Sequence, residues 1–186
     1  MLTEIRWHGR AGQGVITVGR LLASAAIMEG KHAQAFPEFG PERLGSAMLG
    51  YTRIANEPIE IHSPIYTPDI VVVIDPTLIK MVDVTKGLKE GGNLVVNTSK
   101  PIPENFFEAL KRKRITAYGV NATKISLSVL GSAKAMNTAT LGALLKASPL
   151  VSLDSVFKAL GEHFKGPIFE KNVEMIRRGY EEAEAK

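Results

Sequence analysis

Hydrophobic and polar positions along the first third of the chain follow two different periods. Residues 2–7 alternate enough to form a strand. From residue 13 to about residue 29 the apolar positions recur at helical spacing, with Val15, Val18 and Leu22 on one face. The stretch "KHAQAF" then predicts a second short strand. A strand, a helix and another strand in this order indicate the start of an α/β domain.

Residues 37–64 interrupt this alternation. They begin with a segment rich in proline and glycine and continue as "AMLGYTRIA" and "PIEIHSP" on either side of the turn "NEP". This pattern predicts a loop followed by an antiparallel hairpin, either inserted into the sheet or placed at its edge. "DIVVVIDP" then resumes the alternation as an apolar run typical of a parallel strand buried on both faces.

The remaining elements continue the α/β pattern and end in a helical third. The predicted elements are a helix at 76–89, the strand "NLVVNTS", a helix within 103–113, the strand "RITAYGV", and helices at about 121–130, 138–147, 152–163 and 168–184. The sequence therefore predicts one α/β domain over residues 1–186. Its fold is expected to be Rossmann-like, a mostly parallel sheet with helices on both faces, an inserted antiparallel hairpin and a helical C-terminal third.

Composition narrows the class of protein. Hydrophobic residues make up 45% and charged residues 23% of the chain, which is ordinary for a globular protein. The start "MLTEIRW" lacks the features of a signal peptide, and no apolar run is long enough to span a membrane, so we expect a cytoplasmic protein without a membrane partner. The net charge of +4 is too weak to indicate a nucleic-acid partner.

Cysteine is absent from the chain. This excludes disulfides, a catalytic thiol and any cysteine-ligated zinc or iron–sulfur centre within it. The four histidines are scattered without the spacing of metal ligands. The sequence therefore predicts no metal site, and we assign no catalytic residue to this chain.

The glycine-rich loop "HGRAGQG" is the main candidate for chemistry. It lies between a strand and a helix, where unpaired N–H groups and the positive end of the helix dipole favour an anion. We take its binding residues to be Gly9, Arg10, Gly12, Gln13 and Gly14, with the arginine as the charged anchor for phosphate. The alternative is a tight turn that needs glycine for its conformation alone. The glycine spacing and the lack of a following acidic residue disfavour a dinucleotide fingerprint, and no Walker sequence is present.

Three further features each allow a functional and a structural interpretation. A helix starting at Thr138, with Asn137 as its N-cap, would offer a second anion site, and plain capping is the alternative. Asp75 before Pro76 is better read as an N-cap than as a ligand residue. The stiff loop from residue 36 to residue 45 carries Phe39 among charged residues, which favours contact with a partner subunit over an ordinary surface loop.

Several stretches together resemble a known family. "HGRAGQGVITVGRLLA" and "AFPEFGPERLGSAMLGYTRI" resemble the gamma subunit of the 2-oxoacid:ferredoxin oxidoreductases, particularly the pyruvate type (pyruvate synthase). "MNTATLGALLKA" and "FEKNVEMIRRGYEEA" resemble the late helices of the same subunit. The resemblance covers nearly the whole chain. The sequence departs from the family pattern at Ala11, where a further glycine is common. This departure bears on the fine shape of the loop.

The resemblance implies a multi-subunit enzyme. Such enzymes oxidatively decarboxylate a 2-oxoacid, form an acyl-CoA and reduce ferredoxin, using thiamine diphosphate, magnesium and [4Fe–4S] clusters. This chain lacks cysteine and a thiamine-binding sequence, so those groups are expected on the alpha, beta and delta partner subunits, and the isolated chain is expected to be inactive. Coenzyme A is expected at or near the glycine loop. Two alternatives remain, a ligand-free scaffold subunit and a stand-alone nucleotide-dependent oxidoreductase. Pyruvate is the expected 2-oxoacid, with branched-chain and aryl 2-oxoacids still open.

Overall fold

A computed structural model of the chain describes residues 1–38, 45–100 and 104–185, with side chains for all of these except residues 104 and 105. Its seven strands are β1 (Leu2–Arg10), β2 (His32–Pro37), β3 (Ala47–Ala55), β4 (Ile70–Val73), β5 (Asn93–Asn97), β6 (Thr116–Val120) and β7 (Glu184–Ala185). Its α-helices are α1 (Val15–Met28), α2 (Glu104–Arg112), α3 (Ala122–Leu130), α4 (Met136–Ala147), α5 (Leu153–His163) and α6 (Gly166–Glu182).

The strands form one mixed sheet in the order β2-β3-β1-β4-β5-β6-β7. The four central strands β1, β4, β5 and β6 are parallel to one another. β3 lies between β1 and β2 and runs antiparallel to both, and β7 pairs antiparallel with β6 at the far edge. The predicted α/β fold is confirmed, and the carboxyl ends of its parallel strands lie at one edge of the sheet.

Helices cover both faces of the sheet, as predicted. On one face, Ile5 and Trp7 of β1 belong to a core that includes buried residues of α1, α3, α4, α5 and α6. On the other face, Val71 and Val73 of β4 pack in a smaller core with Leu110 of α2. β4 is buried on both sides because its neighbours on each face are apolar, in agreement with its unbroken hydrophobic run. None of the described helices is long and apolar enough to cross a membrane.

The predicted hairpin is wrong in its second arm. β3 pairs with β2 and β1 rather than with "PIEIHSP", and residues 56–69 contain no strand. Both edges of β3 are occupied by these neighbours, so no edge remains for a third partner. Side chains hold the segment instead. The buried guanidinium of Arg53 donates to the carbonyl oxygens of Ile61 and Ser63 at 3.2 and 2.8 Å.

The predicted helix over residues 76–89 is also wrong. Only a short 3-10 helix, Pro76–Lys80, forms there. The carboxylate of Asp75 accepts a hydrogen bond from the N–H of Thr77 at 2.9 Å, and that of Asp83 accepts one from the N–H of Thr85 at 3.0 Å. Such local bonds stabilise turns at the expense of a continuous helix, because they satisfy the same backbone donors.

α4 and α6 approach so closely that glycine is required on both. A Cβ atom on Gly142 would collide with the carbonyl oxygen of Ile176, and one on Gly179 would collide with that of Ala139. Backbone atoms in packed helices have no room to move away. We therefore expect Gly142→Ala to lower the free energy of unfolding by about 1–3 kcal/mol, measured by urea denaturation.

Gly161→Ala is the matched control for this prediction. Gly161 also lies in a helix, α5, but an added Cβ would make only an ordinary contact with Phe169 at 3.6 Å. Alanine there should raise stability by about 0.5–1 kcal/mol, because it lowers the entropy of the unfolded chain. Equal stability changes in the two variants would contradict the close approach of α4 and α6.

Candidate functional site

The glycine loop joins β1 to α1 at the carboxyl edge of the sheet. Gly12 and Gly14 adopt left-handed φ values of 94° and 72°, which favour glycine. Gly9 has no such φ, but a Cβ there would lie 2.5 Å from a methyl carbon of Val15. Ala11 fits because its φ is not positive and its backbone pairs with the segment at residues 45–46. Backbone conformation or packing therefore requires each of these three glycines, independently of any ligand.

The first turn of α1 lacks a side-chain cap. Gly14 occupies the N-cap position, makes no side-chain capping hydrogen bond, and no acidic residue lies in the first turn. The N–H of Val18 makes the first intrahelical bond, to the carbonyl oxygen of Gly14 at 3.0 Å. The N–H groups before it carry the positive end of the helix dipole, so this helix end favours an anion.

Asp75 connects the glycine loop to the end of β4. Its Oδ2 accepts hydrogen bonds from Nε of Arg10 at 3.0 Å and from Nε2 of Gln13 at 2.8 Å. Burial by itself would raise the pKa of the Asp75 carboxyl, but hydrogen bonds from Thr77 and Gln13 and the charge of Arg10 outweigh it and lower the pKa. The predicted N-cap role of Asp75 is confirmed, since it caps the 3-10 helix at Thr77. Its bond to Arg10 was not foreseen, because nothing in the sequence links positions so far apart.

Arg10 is held on several sides. Besides Asp75, its Nη1 donates to the carbonyl oxygen of Gly45 at 3.1 Å, and its Nη2 donates to Thr77 Oγ1 at 3.0 Å and to Met81 Sδ at 3.3 Å. A guanidinium has five N–H groups, so one N–H on Nη1 remains. The arginine therefore ties three segments together. Its predicted contact with phosphate stays a prediction, and a bidentate contact would have to replace one of these bonds.

The predicted N-cap role of Asn137 is wrong. α4 begins at Met136 with Ala135 as its N-cap, because a 3-10 helix at Ala133–Ala135, capped by Ser132, leads directly into it. Asn137 is buried within the first turn, and its Nδ2 donates to the carbonyl oxygen of Gly14 at 3.1 Å. The fold thus brings Asn137 to the glycine loop.

Thr138 and the loop at residues 36–45 complete the predicted site residues. Thr138 is also buried, and its hydroxyl donates to Oδ1 of Asn172 at 3.4 Å, so it faces α6 rather than the loop. Phe39 and the other residues of 39–44 lie outside the described residues. At the start of that loop, the Tyr51 hydroxyl donates to Glu38 Oε2 at 3.3 Å.

A buried polar pair on β1 was missed by the sequence interpretation. Nε of Arg6 donates to Nε2 of His8 at 3.1 Å, and Nη2 of Arg6 donates to the carbonyl oxygens of Val84 and Lys86 at 3.1 and 2.6 Å. Burial, together with the charge of Arg6, lowers the pKa of His8 from 6.5 to about 3. His8 is therefore neutral at physiological pH and acts as an acceptor that fixes Arg6 against the segment after the 3-10 helix.

His8 should make stability depend on pH. Its pKa is 6.5 when unfolded and about 3 when folded, so between these values the unfolded chain binds the extra proton. The stabilisation is complete above pH 6.5 and is lost as pH falls towards 3, with a slope of at most about 1.4 kcal/mol per pH unit. We expect His8→Gln to reduce this slope, measured by urea denaturation between pH 4 and 7. The exposed His62, replaced in the same way, serves as the control. A slope unchanged by His8→Gln would contradict the depressed pKa.

Comparison with known proteins assigns this chain to a family. The model of the family described as "Pyruvate ferredoxin/flavodoxin oxidoreductase" matches residues 4–182. The chain is 48% identical over 183 residues to "Pyruvate/ketoisovalerate oxidoreductases common subunit gamma" of Pyrococcus furiosus, covering 98% of each chain. It is 42% identical over 183 residues to "Pyruvate synthase subunit PorC" of Methanothermobacter thermautotrophicus, covering 98% of this chain and 97% of the relative.

Solved structures agree with these relatives. The pyruvate oxidoreductase subunit PORC of Thermotoga maritima matches with a TM-score of 0.85 and 38% identity, over 100% of this chain and 98% of that one. The 2-oxoglutarate:ferredoxin oxidoreductase of Magnetococcus marinus matches with a TM-score of 0.74 and 20% identity, over 96% of this chain and 30% of that chain, and shares the fold. The chain therefore belongs to the pyruvate ferredoxin/flavodoxin oxidoreductase family, as a gamma-type subunit.

Proposed function

We propose that this chain is the gamma subunit of a cytoplasmic enzyme that oxidatively decarboxylates a 2-oxoacid with coenzyme A and reduces ferredoxin. Pyruvate is the proposed substrate, which gives acetyl-CoA and CO2. The proposal is supported by family membership over residues 4–182 and by relatives named for pyruvate and ketoisovalerate. The partners are the alpha, beta and delta subunits of the same enzyme, and ferredoxin interacts with the assembled complex.

The role proposed for this subunit is to bind coenzyme A at or near the glycine loop. The observation that carries it is the uncapped start of α1 at Gly14, which lies at the carboxyl edge of the sheet. A phosphate of coenzyme A there would accept hydrogen bonds from the first turn of α1 and from the loop amides. Arg10 and Gln13, both tied to Asp75, keep the loop in the required shape.

The remaining cofactors are proposed to lie on the partner subunits. The chain has no cysteine to ligate a [4Fe–4S] cluster. Among residues 1–38, 45–100 and 106–185, no three His, Asp or Glu side chains converge as metal ligands. The residues of this subunit therefore do not fit the clusters, and we assign thiamine diphosphate and magnesium to the partners as well.

Calorimetry on the assembled enzyme tests the role in binding. We expect saturable binding of coenzyme A, and none of NAD or NADP, when this subunit is present. Assemblies that lack the subunit should bind coenzyme A more weakly. Equal affinity with and without it would refute the proposed role, and binding of NAD would favour the stand-alone oxidoreductase.

A ligand-free scaffold is the second candidate function. Two observations favour it. Packing around Gly9 and Gly14 requires glycine at both positions, and hydrogen bonds within the chain already use most of the N–H groups of the Arg10 guanidinium. A scaffold role requires only that the loop be shaped to fit its neighbours. It predicts that changes in the loop affect assembly and leave the affinity for coenzyme A unchanged in complexes that still form.

The loop at residues 36–45 is proposed to contact a partner subunit. We expect Phe39→Asp to prevent co-purification with the larger subunits, since an aromatic anchor would be replaced by a charge that is costly to bury. The circular dichroism spectrum of the isolated chain should be unchanged. Exposed Tyr66, replaced by Asp, is the matched control. Assembly of Phe39→Asp at wild-type affinity would show that the loop is not an interface.

A further inference from the structure

β2 is the longer of the two edge strands of the sheet. Its six residues, His32–Pro37, pair with β3 alone and lie at one end of the strand order. At the opposite edge β7 is two residues long, and so short a strand offers little for another chain to pair with. An edge strand with free backbone groups is a template for a further strand. β2 is therefore the edge at which this sheet can be extended.

The backbone groups of β2 divide between its two sides. The N–H of Glu38 donates to the carbonyl oxygen of Leu49 at 3.0 Å, so this residue pair bonds directly across to β3. Bonded residues alternate along an antiparallel pair. The backbone groups of residues 32, 34 and 36 therefore bond to β3, whereas those of residues 33, 35 and 37 point away from the sheet.

Two N–H groups of β2 face outward, those of Ala33 and Ala35. Pro37 has no N–H, and the N–H of Lys31 already donates to the carbonyl oxygen of Ala26 at 3.1 Å. Within residues 1–38, 45–100 and 104–185, neither outward N–H donates to another backbone group. A partner strand at this edge must therefore supply acceptors opposite these two alanines.

We propose that β2 pairs with β2 of a second copy of this chain, antiparallel and about a two-fold axis between the two Ala35 residues. In this register the N–H of Ala35 donates to the carbonyl oxygen of Ala35 in the second copy. The N–H of Ala33 donates to the carbonyl oxygen of Pro37 in the second copy. Both outward N–H groups of each copy are then paired, and Pro37 acts only as an acceptor.

The side chains favour this occupant and this register. Residues opposite each other in antiparallel strands share a face of the sheet, so exposed His32 lies opposite exposed Glu38 of the second copy. The imidazole N–H donates to the carboxylate, and the two-fold axis repeats the pair. Ala35 lies opposite Ala35, which permits close approach. A register moved by two residues would instead place His32 opposite Phe36 and lose both pairs.

Ala35→Pro tests the backbone part of the proposal. Proline removes an outward N–H and none that bonds to β3, so an edge strand tolerates it. Ala35→Ser keeps the N–H and is the matched control. Self-association of the full chain is measured by sedimentation velocity over a series of protein concentrations, and folding by circular dichroism. We expect a reversible dimer for the wild type and Ala35→Ser, and a dissociation constant more than tenfold higher for Ala35→Pro.

Charge reversal tests the register, and it decides the question if Ala35→Pro does not fold. His32→Glu places like charges opposite each other and should raise the dissociation constant about three- to tenfold. Combining His32→Glu with Glu38→Lys should restore the wild-type constant. His62→Glu, at an exposed position outside β2, is the control and should match the wild type.

Three results would overturn the proposal. The first is a wild-type chain that stays monomeric at every concentration, and the second is a dimer that persists unchanged in folded Ala35→Pro or in His32→Glu. The third is a monomeric wild type whose co-purification with the partner subunits is lost in Ala35→Pro, because the edge then pairs with a different subunit. The dimer requires no coenzyme A, so its failure leaves the proposed function standing.

Discussion

Purified alone, the chain is expected to oxidise no pyruvate and to contain no iron or thiamine diphosphate. The reason is chemical, since the chain has no cysteine to hold an iron–sulfur cluster and no described group of metal-ligating side chains. Turnover would be followed as coenzyme A-dependent reduction of a viologen dye with pyruvate, and iron by elemental analysis. Activity should be at background in the chain alone.

Reconstitution supplies the control for this expectation. Adding the chain to its purified partner subunits should restore dye reduction to that of the intact enzyme, whereas partners without the chain should show a raised Michaelis constant for coenzyme A. Stoichiometric iron in the isolated chain, or pyruvate turnover by it, would contradict the assignment of the cofactors to the partners. Restoration of activity by an unrelated protein would contradict the proposal as a whole.

Arg10→Ala, in the assembled enzyme, is expected to raise the Michaelis constant for coenzyme A by roughly ten- to a hundredfold. A hydrogen bond to a charged group contributes on the order of 1.5–3 kcal/mol, and this range corresponds to that factor. The Michaelis constant for the 2-oxoacid should barely change, because that substrate is proposed to react on another subunit. Steady-state kinetics with coenzyme A and pyruvate varied separately measure both constants. An unchanged constant for coenzyme A in an intact complex would favour the scaffold.

Asp75→Asn separates the two ways in which Arg10 could act. Asparagine keeps an oxygen for Thr77 but removes the carboxylate oxygen that accepts from Nε of Arg10 at 3.0 Å and from Nε2 of Gln13 at 2.8 Å. If the guanidinium contacts phosphate directly, its release should leave the affinity for coenzyme A equal or higher. If Arg10 only fixes the loop, Asp75→Asn should weaken coenzyme A binding as Arg10→Ala does. Gly12→Val should be more damaging than either, because a branched residue resists the left-handed φ of 94°.

Local sequence patterns were sufficient to predict much of the fold. The apolar run of Ile70–Val73 predicted a strand buried on both faces, and the helical spacing after Gly14 predicted α1. The glycines of the loop marked the junction between β1 and α1, since left-handed φ values are a property of single residues. These predictions are confirmed because each depends on a residue and its near neighbours in the chain.

Tertiary structure decided which segments meet. The pairing of β3 with β1 and β2 and the bond between Arg10 and Asp75 both join residues that are distant in sequence. Asn137 illustrates the limit, because its amide bonds to Gly14, 123 residues away, while its local sequence favoured a cap. The sequence by itself determined most of the elements and the chemistry available in the loop. Only the packing of β4, α1 and α4 at one edge of the sheet decided the site, because long-range contacts have no periodic signal in the chain.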